Sequence, residues 1–446
     1  MVADNSRQHV DSLVSARWII PATDDGAILT HHTLVIDQGR ILALLPTDQA
    51  EAHYSTENPV SLTEHALIPG LVNAHGHAGM TLLRGIADDL PLQTWLQDHI
   101  WPLEGKWVSE EFVHHGSQLA IAEMLRGGTT CFADMYYFPE VVAKAAVQAN
   151  IRCQLAAPVI DFPTAWGQGP DDYISKTIKL HDEYRNSQLV KVAFGPHAPY
   201  TVSDAPIRRI ATLAEELDIP IHMHVHETAQ EVDDAVAATG QRPLDRLQAL
   251  GLLGPRLLAV HATQLTDGEI SLLAETGASV VHCPHSNLKL ASGFCPVHRL
   301  QQAGVNVALG TDGAASNNDL DMFAEMQTAA MLAKAVAGDA TALPAYNALQ
   351  MATINGARAM GMDADIGSLE AGKLADITAI RMDELNTQPM YNPVSHLVYS
   401  TRSSQVTHVW VGGRAVVVDS TLTGINIAGL QQQTVQWQNR LQETSS

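Results

Sequence analysis

Apolar residues along this chain fall into two textures. Over the first 65 residues, short apolar runs are separated by polar turns, whereas from about Ala66 each run is followed by a stretch of helical spacing. In the first part, Arg17–Ile20, Thr33–Asp37 and Ile41–Leu45 predict strands, Asp25-Gly26 and Gln38-Gly39 predict turns, and no amphipathic helix is expected. In the second, Ala66–Ala74 reads as a strand, and Phe112–Arg126 keeps a helical period until Gly127-Gly128 stops it. Thr129–Ala133, Gln154–Ile160, Val190–Phe194, Pro220–Val225, Leu257–Val260, Ala278–Val281 and Val305–Leu309 continue the strands. Thr266-Asp267-Gly268-Glu269 is a capping box that opens a helix ending at Gly277, and Val297–Ala303 is a helix stopped by Gly304.

Strand and helix alternate with short links, which implies parallel strands joined by right-handed crossovers. Roughly eight such units predict a closed (β/α)8 barrel of the TIM type. An open doubly wound sheet fits less well, because no Gly-rich phosphate loop follows the first strand. After about Lys373 strands return, at Ala375–Ile380, Gln405–Val411 and Arg414–Val418, with a turn at Gly412-Gly413. The two β-rich ends, 1–65 and 374–446, are expected to meet as one small β-sandwich beside a barrel over 66–373. Gln431–Ser446 reads as a polar helical tail.

Composition narrows the function. The chain has 446 residues, a formal charge of −22, 46% hydrophobic residues and 17% charged ones. Such an acidic surface repels phosphate backbones and anionic lipid, so neither nucleic acid nor membrane is an expected partner. No apolar run is long enough to span a bilayer. Met1–Ile20 carries Asp4 and Asp11 without the charge pattern of a signal peptide. Cys131, Cys153, Cys283 and Cys295 form neither a disulfide framework nor a close thiol pair. A cytoplasmic protein with reduced thiols is expected, and homo-oligomerisation is left open.

Histidine is the unusual count, at 21. Position decides what it means. His75-Gly76-His77 ends the first barrel strand, and in extended chain i and i+2 share a face, so both rings can reach one metal ion. In the run from Ile221 to Thr228, alternation places His222, His224 and His226 on one face, so spacing alone does not choose among them. Glu227 at that strand end can supply an acid. His261 follows Leu257–Val260, and Gly310-Thr311-Asp312-Gly313 puts a carboxylate at the end of Val305–Leu309. All lie at carboxyl ends of barrel strands, where barrel enzymes build active sites. Three imidazoles and one carboxylate leave room for water, and an ion there lowers the water pKa to about 7. Asp312 is then placed to accept the water proton and Glu227 to protonate the substrate, which is metal-assisted hydrolysis.

These motifs resemble those of the amidohydrolase superfamily over nearly the whole chain. Pro69-Gly70-Leu71-Val72-Asn73-Ala74-His75-Gly76-His77, His224 to Glu227, His261, His282-Cys283-Pro284 with Ser286-Asn287-Leu288, Thr311-Asp312-Gly313 and Gly372-Lys373-Leu374-Ala375-Asp376 carry the likeness. In the family's deaminases the third ligand stands three residues before the catalytic Glu, so the resemblance implies a mononuclear site of His75, His77, His224 and Asp312. Glu227, His261 and Asp312 are then catalytic. The ion is one divalent metal per chain, zinc by default, with Fe2+ or Mn2+ fitting the same ligands. No lysine is suitably placed for a binuclear centre.

Within the superfamily the chain looks most like the 5'-methylthioadenosine/S-adenosylhomocysteine deaminases and their triazine-hydrolase relatives. That likeness maps a ligand-facing Trp onto Trp95, a ribose-binding Glu onto Glu104 and a substrate-touching His onto His197. Glu227 and Asp312 complete the implied substrate set. Members that accept S-adenosylhomocysteine carry arginines after the third strand, but Leu155–Asp172 holds none here. The neutral methylthio nucleoside is therefore the expected substrate, ahead of S-adenosylhomocysteine or adenosine. Rival readings are a guanine, pterin or triazine aminohydrolase, for which Glu104 would have no diol to meet, and a His-rich metal store. A store gathers histidine in exposed tracts, whereas here it is spread among separate strand ends. His282 and His285 are expected to support the site rather than ligate.

Overall fold

A computed structural model describes residues 7–443; residues 1–6 of the segment read for a leader, and 444–446 of the expected tail, lie outside the described residues. The chain opens with β1 (Ser12–Ile19), β2 (Leu29–Asp37), β3 (Arg40–Pro46) and β4 (Pro59–Pro69). A helix over Thr47–His53, absent from the expectation, follows β3. It buries Ala50 alone, so no apolar stripe marks it in the sequence.

The barrel strands are β5 (Leu71–Asn73), β6 (Thr129–Asp134), β7 (Arg152–Val159), β8 (Val190–Pro196), β9 (Ile221–Val225), β10 (Leu257–His261), β11 (Ser279–His282) and β12 (Val307–Leu309). They pair in sequential, parallel order. The ring closes where the Ala74 N–H donates to the Leu309 carbonyl at 2.9 Å and the Asp312 N–H to the His75 carbonyl at 3.0 Å. This is the (β/α)8 barrel expected from the alternation.

After the barrel come β13 (Ile377–Arg381), β14 (Val406–Val411), β15 (Arg414–Val418) and β16 (Thr421–Leu422). Both chain ends share one eight-stranded sheet in the order β16-β15-β14-β13-β4-β1-β2-β3, antiparallel except where β1 meets β4. Val14, Leu34, Ile41, Leu67, Ile377 and Trp410 give it a core of its own.

Two expectations change. The run Ala66–Ala74 is not one barrel strand: it divides at Gly70, with β4 in the terminal sheet and β5 in the barrel. Gly70 is where the chain crosses between sheets; its N–H donates to the Asp376 carbonyl at 2.9 Å, and a Cβ there would lie 2.0 Å from Thr130 Oγ1. The C-terminal helix spans Ile427–Gln442 and is docked rather than merely polar, because Leu430, Trp437 and Leu441 share a buried face. Trp437 meets Phe112 edge-on at 5.2 Å between centroids. No helix among the described residues is long and apolar enough to cross a membrane.

Candidate active site

Four side chains from three barrel strand ends converge at one rim. His75 and His77 follow β5, His224 lies within β9, and Asp312 follows β12. His75 Nε2 is 3.3 Å and His77 Nε2 3.1 Å from Asp312 Oδ1, and the Nε2 atoms of His224 and His75 are 3.3 Å apart. The outward nitrogens are engaged elsewhere. His77 Nδ1 donates to the Met135 carbonyl at 2.6 Å, and His224 Nδ1 to the His197 carbonyl at 2.8 Å. A carbonyl accepts only, so both rings carry the proton on Nδ1 and present a bare Nε2 lone pair to the cluster. His75 Nδ1 instead meets His222 Nε2 at 2.8 Å.

This resolves the row of histidines. His222 backs His75, and His224 joins the cluster. His226 leaves the row because its φ of 54° turns it outward, where its Nε2 accepts the Leu244 N–H at 3.3 Å. Bare nitrogen lone pairs beside a carboxylate fit a divalent ion of the zinc type. Lys191, the lysine on a described barrel strand, is exposed at the opposite end, near the start of β8.

Asp312 is held firmly. Ser286 Oγ donates to its Oδ2 at 2.7 Å and the Gly313 N–H to its Oδ1 at 2.8 Å. Burial alone would raise its pKa, but the neighbouring imidazoles of His75 and His77 keep the carboxyl well below its ordinary range. Glu227 is the opposite case: burial, then the neighbouring Asp312 and Glu231 carboxylates, push it well above the ordinary range. His261 Nε2 lies 3.8 Å from Glu227 Oε2, and Asn287 Nδ2 donates to its Nδ1 at 3.0 Å. Burial pushes His261 down to about 3, so the ring is neutral and its proton sits on Nε2, facing the cavity.

The cavity over this cluster is lined by His77, His224, Glu227, His261 and Asp312 and also by Trp95, Glu104 and His197, the His197 ring lying 5.0 Å from that of His224 between centroids. Met80, Leu92, Leu96, Ile100, Tyr137 and Ile160 supply apolar wall, and no lysine or arginine lines it among the described residues. Glu104 is pushed up to about 7 by burial, against a hydrogen bond donated by Tyr136 Oη at 2.7 Å. His197, pushed down to about 4 by burial and by His77 and His75, contacts Thr201 Oγ1 at 3.0 Å. His282 is buried beneath the rim, and His285 pairs with buried Glu325 at 3.1 Å.

The sequence reading did not single out several partners. Asn73 bridges the first and last barrel strands through Thr311, donating at 2.7 Å and accepting the Thr311 N–H at 2.9 Å. Asn73, Ser286 and Asn287 stand inside the quoted motifs, but their contacts span distant segments and no local spacing reveals them. Tyr136 carries no motif signal at all.

A family model described as the amidohydrolase family matches residues 66–416. A 5-methylthioadenosine/S-adenosylhomocysteine deaminase of Saccharophagus degradans is 54% identical over 432 residues, covering 97% of each chain. A 5'-deoxyadenosine deaminase of Methanothermobacter thermautotrophicus is 46% identical over 360 residues, covering 81% of this chain and 84% of its own. The crystal structure of an adenosine deaminase from Xanthomonas campestris with bound zinc superposes with a TM-score of 0.97 at 51% identity, covering 98% of this chain and 100% of its own. The chain belongs to the amidohydrolase family.

Proposed function

We propose that this amidohydrolase is a metal-dependent hydrolytic deaminase of adenine nucleosides, with 5'-methylthioadenosine as its preferred substrate and 5'-methylthioinosine and ammonia as products. The observation that carries the reading is a single cavity that gathers the His75, His77, His224 and Asp312 cluster and Glu227 and His261 together with Trp95 and Glu104. The relatives' names, all adenine-nucleoside deaminases, point the same way.

In this reading His75, His77, His224 and Asp312 hold one divalent ion, zinc first. When bound, the ion lowers the pKa of water toward 7 and so makes a nucleophile available at neutral pH. Asp312, whose low pKa leaves it ionised, accepts the water proton. Protonated Glu227 donates to the ring nitrogen beside C6 as water adds there, so the ring sheds aromaticity without building a full negative charge. His261, through its Nε2–H, steadies the developing oxygen. The proton taken by Asp312 passes to the amino group, the C6–N bond breaks and ammonia departs, while the remaining proton of the C6 hydroxyl returns to Glu227 and leaves the C6 carbonyl of the product. Trp95 packs against the nucleoside, Glu104 accepts hydrogen bonds from the two ribose hydroxyls, and His197 touches the substrate.

The preference for a methylthio group rests on the wall. The cavity has no cation for a carboxylate, and Arg209 beside the loop after β7 pairs with Asp171 instead. An amino-acid carboxylate brought there would stay unpaired, at a cost in binding. Four free, buried cysteines support a cytoplasmic setting. The test is ammonia release from 5'-methylthioadenosine, S-adenosylhomocysteine, adenosine, 5'-deoxyadenosine and free bases. Methylthioadenosine is expected fastest and the free bases slowest; faster turnover of S-adenosylhomocysteine or of a free base overturns the substrate assignment.

A further inference from the structure

The peptide that carries Glu227 is held in an unusual way. His226 has φ 54°, and across the gap His261 and Ala262 have φ 74° and 49°, left-handed values that L side chains resist. Two strand ends, those of β9 and β10, therefore bear a proton donor and its neighbour on backbone that does not hold itself. Outside restraint is present on both sides.

On the N–H side stands Glu231, buried in the first turn of the helix Ala229–Thr239. Its Oε1 accepts the His226 N–H at 3.0 Å and its Oε2 the Glu227 N–H at 2.8 Å. A capping glutamate at this position serves the N-cap N–H; here the carboxylate engages the N-cap, Thr228, and also the two residues before it. On the carbonyl side stands Thr263, two residues after His261. Its N–H donates to the His226 carbonyl at 3.0 Å, and its hydroxyl lies 2.8 Å from the Glu227 carbonyl. The same hydroxyl accepts from Gln264 Nε2 at 3.0 Å, and the Glu227 carbonyl is the nearest acceptor for its proton, with the carbonyls of His226 at 3.2 Å and Ser292 at 3.3 Å farther off. The turn behind is fitted to this: Gly293 has φ 135°, and a Cβ there would lie 2.8 Å from Thr263 Oγ1 and 2.3 Å from Gln264 Nε2.

We infer that Glu231 and Thr263 are positioning residues for the deamination, clamping the His226–Glu227 peptide from its N–H and carbonyl faces so that the Glu227 carboxyl is aimed into the cavity. Neither side chain lines the cavity or joins the ligand cluster. The inference rests on the reading of Glu227 as proton donor. A clamp of this kind acts on the geometry of proton transfer more than on nucleoside binding, so its loss falls on kcat.

Thr263→Val keeps the side-chain volume and removes the hydroxyl, and Thr263→Ser restores it. With 5'-methylthioadenosine, Thr263→Val is expected to lose roughly 10- to 100-fold in kcat, with KM and bound metal per chain unchanged, and Thr263→Ser to regain most of the loss. Glu231→Gln, which keeps one acceptor oxygen, is expected to lose kcat in the same sense. Parental kcat in folded, metal-loaded Thr263→Val overturns the clamp, as does a loss that serine does not restore. Glu227→Gln in the same assay separates the two ideas. If it is inactive beside a fully active Thr263→Val, the clamp alone fails; if it is active, the assignment of Glu227 fails.

Discussion

Glu227 and Asp312 share one cavity and the same burial, yet their protons part ways. Asp312 faces two imidazoles and two donors and stays ionised, whereas Glu227 faces other carboxylates and keeps its proton. Such a pair divides acid from base without any difference in residue chemistry. Glu227→Gln, which cannot deliver a proton, is expected to lose about 10²–10⁴-fold in kcat while metal content stays at the parental level; ammonia release and elemental analysis on the same preparation read both. Glu104 carries a pH signature. Its carboxyl is pushed up to about 7, so as pH falls through that value it gains a proton and loses an acceptor for the ribose diol. KM for methylthioadenosine should therefore rise as pH drops from 8 to 6, and Glu104→Gln should show a higher KM that is flat across that window. A KM that is flat in the parent speaks against the diol contact. At this scale the sequence could mark His75, His77, His261 and Asp312, because each ends a strand. It could not separate His222, His224 and His226, since the turn at His226 that breaks their alternation comes from a left-handed backbone with no glycine to announce it.

The strands and their caps were the most legible elements. Thr266 and Glu269 make the reciprocal capping box that the spacing predicts, and the helix Glu110–Arg126 stops at the two glycines. What local pattern could not show is where an apolar run changes sheets: Ala66–Ala74 is apolar throughout because β4 and β5 are both buried, and it divides only through contacts with Thr130 and Asp376. The closing seam between β5 and β12 is equally non-local. Gly310 sits against it, and a Cβ there would lie 2.8 Å from both the backbone nitrogen and the Cβ of His75. Backbone cannot yield as a flexible side chain can. Gly310→Ala should destabilise the chain by about 1–3 kcal/mol and lower bound metal per chain by displacing His75. Denaturant unfolding and metal analysis check this; unchanged metal content would mean the seam does not set the ligand position.

Across the whole molecule, the sheet from the two chain ends is fastened to the foot of the barrel by a buried ion pair. Arg152 Nε lies 2.6 Å from Asp376 Oδ2 and its Nη2 3.0 Å from Oδ1, while the Gly412 N–H donates to Oδ1 at 2.7 Å. Asp376 closes the Gly372–Asp376 motif, so that stretch joins the two sheets and stands apart from the chemistry. Asp376→Asn leaves a buried guanidinium without its counter-charge and should cost about 3–5 kcal/mol of stability, with kcat near parental while the chain stays folded. The meeting of the ends was legible from their shared strand texture, but this fastening was not, because it joins residues 224 positions apart. The barrel so held brings His75, His77, His224 and Asp312 to one rim, and everything proposed about activity depends on their holding a single ion. The most direct test strips the protein of metal and adds zinc back while following ammonia release from methylthioadenosine. Activity should fall to background and return fully at about one equivalent per chain; full activity in the stripped protein, or recovery only after two equivalents, would contradict it.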